Sequence, residues 1–458
     1  MTTQQRQQFH RDGYVILHPH LPTSLHGKIQ QRLEWILKNE GNPGNNILPA
    51  IPELQAILDA PELATALSDV LGAGYMLHPH RFAHNNEPAQ QTAEGELKAG
   101  VGTHAFIGWH QDSHSPLARP RHHACRYAMV LYYPQDTPKE HGPTQLIPGT
   151  HFNRQLTETD YERGFQAAGL AGTCVLVHFD IAHGGSLNLL EHTRYMVKFV
   201  FVRTQEPESF ALPTQPACDI SEMPALLAAL NGPEPERLRA IYALAALGEP
   251  AVAPLCTELA SRTESGWYES AIVMDDAAYA LAALGAPAIT ALMGLLDHPS
   301  EWVQLNAIFA LGELGRKASV ASGALIGKLA SPSHPIVRTA LDALGQLGAD
   351  QTALLPELRR LLLTDNANPS WQEPLYRKWT GQNQVRVNAI SALLKLDWHS
   401  DEAIALVIAS LNDPCGYVGG FGVEILERSG KPDAFKAVLR YLKAHRWDST
   451  LNRGIRTY

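Results

Sequence analysis

Apolar residues recur every third or fourth position in "LHGKIQQRLEWILKN", where Leu25, Ile29, Leu33 and Ile36 share one face, so the pattern predicts an amphipathic helix over 25–39. Further on the grammar changes to short β-branched and aromatic runs bounded by turn residues: "RYAMVLYYP" at 126–134, "TCVLVHFD" at 173–180 and "RYMVKFVFVR" at 194–203. Strands this dense, with no helical pattern between them, predict an antiparallel barrel or jelly roll. A stretch rich in Pro and turn formers, "TQEPESFALPTQPACDISEMP" at 204–224, marks a boundary. The expected organisation is a β domain over 1–205, a linker over 206–221 and a helical domain over 222–458.

The helical half repeats itself. "AIYALAALG" ends at Gly248, "AAYALAALG" at Gly285, "AIFALGELG" at Gly315, "ALDALGQLG" at Gly348, a degraded "AISALLKLD" at Asp397 and "GVEILERSG" at Gly430. Intervals of roughly 30 to 50 residues are those of a helix-pair solenoid. Ala and Leu at helical spacing fill the faces where stacked helices meet, and the terminal Gly supplies the left-handed cap. This half resembles HEAT-like repeats. The longest interval holds an insertion, "TDNANPSWQEPLYRKWTGQN", whose Trp371 and Trp379 depart from the pattern and are expected on a loop at one face.

Composition narrows the function. With 458 residues the chain is expected to hold more than one domain. Its 37 Lys and Arg against 46 Asp and Glu give a formal charge of -9, which excludes the basic field that nucleic acid attracts. The five cysteines are scattered and form no CxxC pair, so neither a disulfide framework nor a thiolate zinc site is expected. No apolar run approaches the ~18 residues of a membrane span, and the N-terminus lacks a signal-peptide core. The expectation is a cytoplasmic protein without a membrane or nucleic-acid partner.

Candidate chemistry lies in "IGWHQDSHS" at 107–115. His110 and Asp112 are two apart, and on a strand such residues point to the same face and reach one ion. Taken alone the pair reads first as a solvated turn, since in a chain with 21 histidines such pairs arise by chance, and His104, His114, His122 and His123 read as solvated loop positions around it. A mononuclear Fe(II) site of the facial type needs one more histidine and open positions beside it. "GTCVLVHFDIAHGGSLNLLEHTRYMVKFVFVR" offers His183 after a strand, a Gly-rich turn and then Arg194 opening the next strand. His178 is the rival ligand, inside the strand run and without an arginine at matching distance. His151 in "PGTH" reads as a turn residue, Trp109 as a pocket wall or a core residue, and "LARPRHHACR" as the sole local candidate for phosphate contact.

Four ordered segments resemble the phytanoyl-CoA dioxygenase family: "FHRDGYVIL" at 9–17, His110-x-Asp112, "GPTQLIPGTH" at 142–151, and His183, Asn188 and Arg194 at offsets of zero, five and eleven. The resemblance implies an all-β double-stranded β-helix (jelly-roll) core with flanking helices, placed here before the all-α HEAT-like solenoid. It implies that His110, Asp112 and His183 hold Fe(II), that Arg194 binds the distal carboxylate of 2-oxoglutarate with Asn188 and Ser186 nearby, and that O2 is the second cosubstrate. Members often carry Ser or Thr two residues after the distal histidine, where this chain has Gly185 followed by Ser186. Related halogenases lack the carboxylate ligand, so Asp112 implies hydroxylation. The expected substrate is a small molecule, with a protein partner on the HEAT-like repeats as the alternative use of that half.

Overall fold

In a computed structural model the described residues are 1–100, 108–112, 121–205, 218–261, 267–268, 271–272, 274–363 and 381–445. Most of the expected linker, the insertion with Trp371 and Trp379, His104 and His114 lie outside them. The chain divides into two compact units that change over near residue 207.

The first unit opens with helix Thr3–Asp12, whose capping box joins the Thr2 hydroxyl to the Gln5 amide, and the helix ends on Gly13 at φ 79°. Strand β1 (Tyr14–Leu17) follows, then helix Thr23–Asn39, which buries Ile29, Leu33 and Ile36 as its spacing predicts. His26 joins that buried face and hydrogen-bonds the Tyr132 hydroxyl at 2.8 Å. Three helices not anticipated from the pattern, Ile47–Ala50, Gln55–Leu58 and Pro61–Leu71, lead into β2 (Tyr75–Asn86). The first two span a single turn each, too short for a periodicity to register.

A hairpin of β3 (Gln90–Gln91) and β4 (Leu97–Lys98) precedes β5 (His110–Gln111), β6 (Tyr127–Tyr132), β7 (Gln145–Ile147), β8 (Phe165–Gln166), β9 (Cys174–His178), β10 (Ala182–Gly184) and β11 (Arg194–Arg203). A five-stranded sheet runs β1-β9-β6-β11-β2 and a four-stranded sheet β5-β10-β7-β8, antiparallel throughout. This arrangement is consistent with a jelly roll. Alternation along the larger sheet separates two environments. Val130, Tyr132, Leu176, Val197 and Phe199 join Ile29, Leu33, Leu63 and Leu67 in one apolar core. Their neighbours Leu131, Arg194, Met196 and Lys198 face the other way and line a cavity shared with the smaller sheet.

Two of the sequence motifs meet in space. A Cβ on Gly13 would lie 2.6 Å from the Nδ1 of His151, and the Gly149 amide donates to the Asp12 carbonyl at 3.0 Å. The Asp-Gly of the first motif is therefore a close-approach point for the Pro-Gly-Thr-His turn of the third.

The second unit is helical. Helices Glu234–Ala246, Asp276–Leu284, Glu301–Glu313, His334–Leu347, Gly381–Leu396 and Gly416–Arg428 carry the repeated segments, and each packs against the next. Every one of the six ends on or just before a residue of positive φ: Gly248, Gly285, Gly315, Gly348, Gly430 and, in the degraded copy, Asp397 at 54°. Among the described residues no single helix is long and apolar enough to cross a membrane.

Candidate metal centre

The alternation of a strand sorts residues 110 to 112. Gln111 turns inward, donating through Nε2 to the carbonyls of Thr150 (2.9 Å) and Asp180 (3.1 Å), while His110 and Asp112 flank the cavity side. β5 pairs with β10 so that His110 stands directly opposite His183. Cross-strand pairing thus brings together residues far apart in sequence, with the two imidazole centroids 4.2 Å apart. The Nε2 of His110 lies 3.8 Å from Asp112 Oδ1, and the Nε2 of His183 lies 3.6 Å from Oδ2. One donor atom from each of the three falls within 4.8 Å of the others.

Both rings are oriented from behind. Nδ1 of His183 meets the Ile181 carbonyl at 3.0 Å and Nδ1 of His110 the Gly108 carbonyl at 3.2 Å, so that nitrogen carries the proton and the Nε2 lone pair is left for an ion. Burial pushes His183 down to about 4, with Asp112 pulling the other way, which keeps the imidazole neutral near pH 7. Burial also pushes the Asp112 carboxyl up, but Lys198, His183 and His110 outweigh it and hold the group well below the usual carboxylate range. Two imidazole nitrogens and one carboxylate on one side of a cavity are the donor set that suits Fe(II) with positions left open.

At the far end of the same cavity stands Arg194, 1% exposed. Its Nε donates to the Gly142 carbonyl at 3.0 Å, and its buried Nη1 has no hydrogen-bond partner among the described residues. A buried guanidinium with an unmet donor calls for an anion, and its planar fork matches a carboxylate. Gly142 has φ 66°, and a Cβ there would meet the Ser186 carbonyl at 2.8 Å and the Asn188 amide at 2.9 Å. Asn188 braces this corner: its Nδ2 donates to the carbonyls of Asn86 (2.9 Å) and His192 (2.7 Å), and its Oδ1 accepts from the Leu190 amide. Ser186 donates to the Pro143 carbonyl at 2.6 Å. Both residues therefore hold the loop around Gly142 and Arg194, and neither lines the cavity.

The other histidines fall elsewhere. His178 meets the His122 carbonyl and accepts from the Asp180 amide, inside the strand layer, while His122 contacts Asp180 at 3.2 Å. His151 is a buried turn residue whose ring lies tilted against Phe152, centroids 4.0 Å apart. His123 meets Phe152 edge-on. Trp109 packs toward Tyr161 rather than into the cavity. Arg126, from the candidate phosphate stretch, is 5% exposed and offers no surface charge.

Lys198 is the residue that sequence reasoning missed. Its Nζ donates to Asp112 Oδ2 at 2.5 Å. The parity of β11 could have found it, since Arg194, Met196 and Lys198 alternate onto one face.

Residues 9–196 match the phytanoyl-CoA dioxygenase (PhyH) family and residues 289–369 match HEAT repeats. No curated protein matches the chain. Solved structures similar to it include EctD from S. alaskensis with 2-oxoglutarate and 5-hydroxyectoine, at 18% identity and TM-score 0.35 over 44% of this chain and 77% of that one. The carbocyclase SnoK of nogalamycin biosynthesis is 18% identical, TM-score 0.34, over 44% and 85%. The epimerase SnoN in complex with Fe3+, alpha-ketoglutarate and nogalamycin RO is 15% identical, TM-score 0.36, over 47% and 91%. The chain thus joins a segment that matches the phytanoyl-CoA dioxygenase family, residues 9–196, to helices that match HEAT repeats.

Proposed function

We propose that the protein is an Fe(II)- and 2-oxoglutarate-dependent hydroxylase of an unactivated C–H bond in a small specialised metabolite. One observation carries the reading: two histidines of a His-Asp-His donor set and a buried arginine with an unmet N–H line one cavity. His110, Asp112 and His183 would hold the iron, and Arg194 would pair with the distal carboxylate of the 2-oxo acid. The bound iron and cosubstrate would supply, with O2, the oxidising power for hydroxylation. The chain's own part is to orient both imidazoles through carbonyls, to keep His183 neutral, and to enclose the chemistry among Leu131 and Met196. Asp112 fills the ligand position that halogenases leave open, which supports hydroxylation.

The pairing of such a domain with HEAT-like repeats resembles the dioxygenase that hydroxylates the alkaloid 7-deoxy-cylindrospermopsin, and that compound heads the substrate panel. A hydroxylase of proteins, with the helical unit as recruitment module, is the second reading, supported by the HEAT match at 289–369. An acyl-CoA substrate gains no support from the buried Arg126. The test is to incubate the purified protein with Fe(II), 2-oxoglutarate, O2 and a panel of alkaloids, amino acids, acyl-CoAs and peptides. Succinate release is expected to rise in step with one hydroxylated small molecule. Hydroxylation of peptides alone would favour the second reading, and protein that binds no 2-oxoglutarate when loaded with metal would end both.

A further inference from the structure

β11 serves both ends of the cavity. Arg194, Met196 and Lys198 line it from alternate positions of one strand. At a rise of about 3.3 Å per residue, the Cα atoms of residues 194 and 198 stand about 13 Å apart. Arg194 reaches the Gly142 corner and Lys198 reaches the metal ligands.

Lys198 is 8% exposed. An ammonium group has three N–H donors. Among the described residues its one hydrogen-bond acceptor is Asp112 Oδ2; the Phe179 ring lies 5.6 Å from Nζ, and His80 and His183 feel its charge. Buried donors without acceptors cost free energy, and among the described residues no residue lining the cavity gives Lys198 a hydrogen bond beyond the one to Asp112. An oxygen-bearing ligand in the cavity would. Because the ammonium touches a metal ligand, an acceptor that shares it belongs to whatever sits beside the ion. The charges agree: among the described residues two buried cations, Arg194 and Lys198, line the cavity, and one carboxylate, Asp112, contacts the second of them.

We propose that Lys198 is a second anchor for the 2-oxo acid, donating to the carboxylate at its metal-chelating end while it fixes the Asp112 carboxylate. Arg194 takes the opposite end. The inference rests on the 2-oxoglutarate reading above.

The two anchors separate in a binding experiment that needs no turnover. Protein loaded with redox-silent Mn(II) is titrated with 2-oxoglutarate and with 2-oxobutyrate, which keeps the 2-oxo acid head and lacks the distal carboxylate. Mn(II) occupancy is followed by electron paramagnetic resonance so that lost metal is not mistaken for lost ligand. Lys198→Met is expected to weaken both acids by about tenfold or more, whereas Arg194→Ala weakens 2-oxoglutarate and leaves 2-oxobutyrate at the parent's affinity. Should Lys198→Met fail to fold, reductive methylation of the parent is read at Lys198 by peptide mass spectrometry, and either acid is expected to slow it. A Lys198→Met protein that binds both acids as the parent does, or methylation indifferent to them, overturns the inference alone. A Mn(II)-loaded parent that binds neither acid overturns the cosubstrate reading and the inference with it.

Discussion

Two buried arginines, one in each unit, show how differently the halves use charge. Arg237 in the helical unit is fully engaged: Nε and Nη2 grip both oxygens of Asp276 at 2.7 Å, and Nη1 reaches Glu234 Oε1 at 2.7 Å. Arg194 in the β unit has one carbonyl on Nε and a buried Nη1 with nothing to bind among the described residues. A buried charge that the fold completes is part of the fold. One that the fold leaves incomplete anticipates a ligand. The same contrast separates Lys198, with one acceptor for three donors, from the helix faces built of Ala and Leu such as Ala340, Leu341 and Leu344.

The largest effect is expected at Asp112. Asp112→Asn keeps the shape and an acceptor for Lys198 but removes the charge that holds a dication. Turnover is expected to fall below detection and iron content to drop, while the unfolding midpoint stays near the parent's. Retained hydroxylation would sink the ligand assignment.

Next in size is the arginine pair itself, each replaced by Met of similar length. Arg237→Met leaves Asp276 and Glu234 buried without their cation, which costs on the order of 3 to 5 kcal/mol of stability. Its effect on 2-oxoglutarate affinity per folded molecule is expected to be nil. Arg194→Met removes a charge that the protein alone does not satisfy, so stability should hold or rise while 2-oxoglutarate binding weakens by at least about tenfold, or ~1.4 kcal/mol. Chemical denaturation and cosubstrate titration on the two variants decide it, and equal destabilisation of both would erase the distinction drawn here.

Why one half was easier to read than the other follows from the same contrast. The helical unit states its pattern six times, so the register of Ala, Leu and terminal Gly is visible without any long-range information. In the β unit the legible residues were those fixed by short spacing: His110 with Asp112, and Arg194 at its offset from His183. The direct pairing of His110 with His183 depends on β5 meeting β10 across about 70 residues, which no local pattern records. Lys198 was hidden inside an apolar run that reads as core, although β11 puts Arg194 at one end of the cavity and Lys198 at the other. Asn188 and Ser186 were legible as positions, yet their geometry is that of a brace around Gly142 rather than of a cavity wall.

A third, smaller effect is expected in acid. In the β unit burial pushes His183 and His80 down to about 4 and His151 well below its ordinary value; in the helical unit His334 is likewise pushed down to about 4. These histidines stay neutral when folded and take up protons near pH 6.5 when unfolded. As pH falls from 6.5 towards 4 the unfolded state therefore gains protons that the folded state refuses, and stability drops through that window. With these three groups, and His10 and His26 also lowered by burial, against one among the described residues of the helical unit, metal-free protein should lose hydrogen-exchange protection in the β strands before the helices when taken from pH 7 to pH 5. The reverse order would contradict this account.

The smallest expected change lies at Asp397, the sole non-glycine residue of positive φ among those described, at 54°. Its five counterparts are glycines, for which that geometry is free of Cβ strain. A side chain in this region costs about 1 to 2 kcal/mol, less for Asp than for most. Glycine would remove that strain but gains conformational freedom in the unfolded chain, which takes back about 0.4 to 1 kcal/mol. The contact of Asp397 Oδ1 with His399 Nε2 at 3.1 Å would also be lost, but both side chains are more than a third exposed and such pairs contribute little. The balance favours Asp397→Gly by roughly 0.5 kcal/mol, a rise of a degree or so in the unfolding midpoint, whereas Asp397→Ala, which keeps the Cβ and loses the tolerance, should lower it. A destabilised Asp397→Gly protein would mean that the degraded repeat holds its Asp for a contact rather than despite a strain.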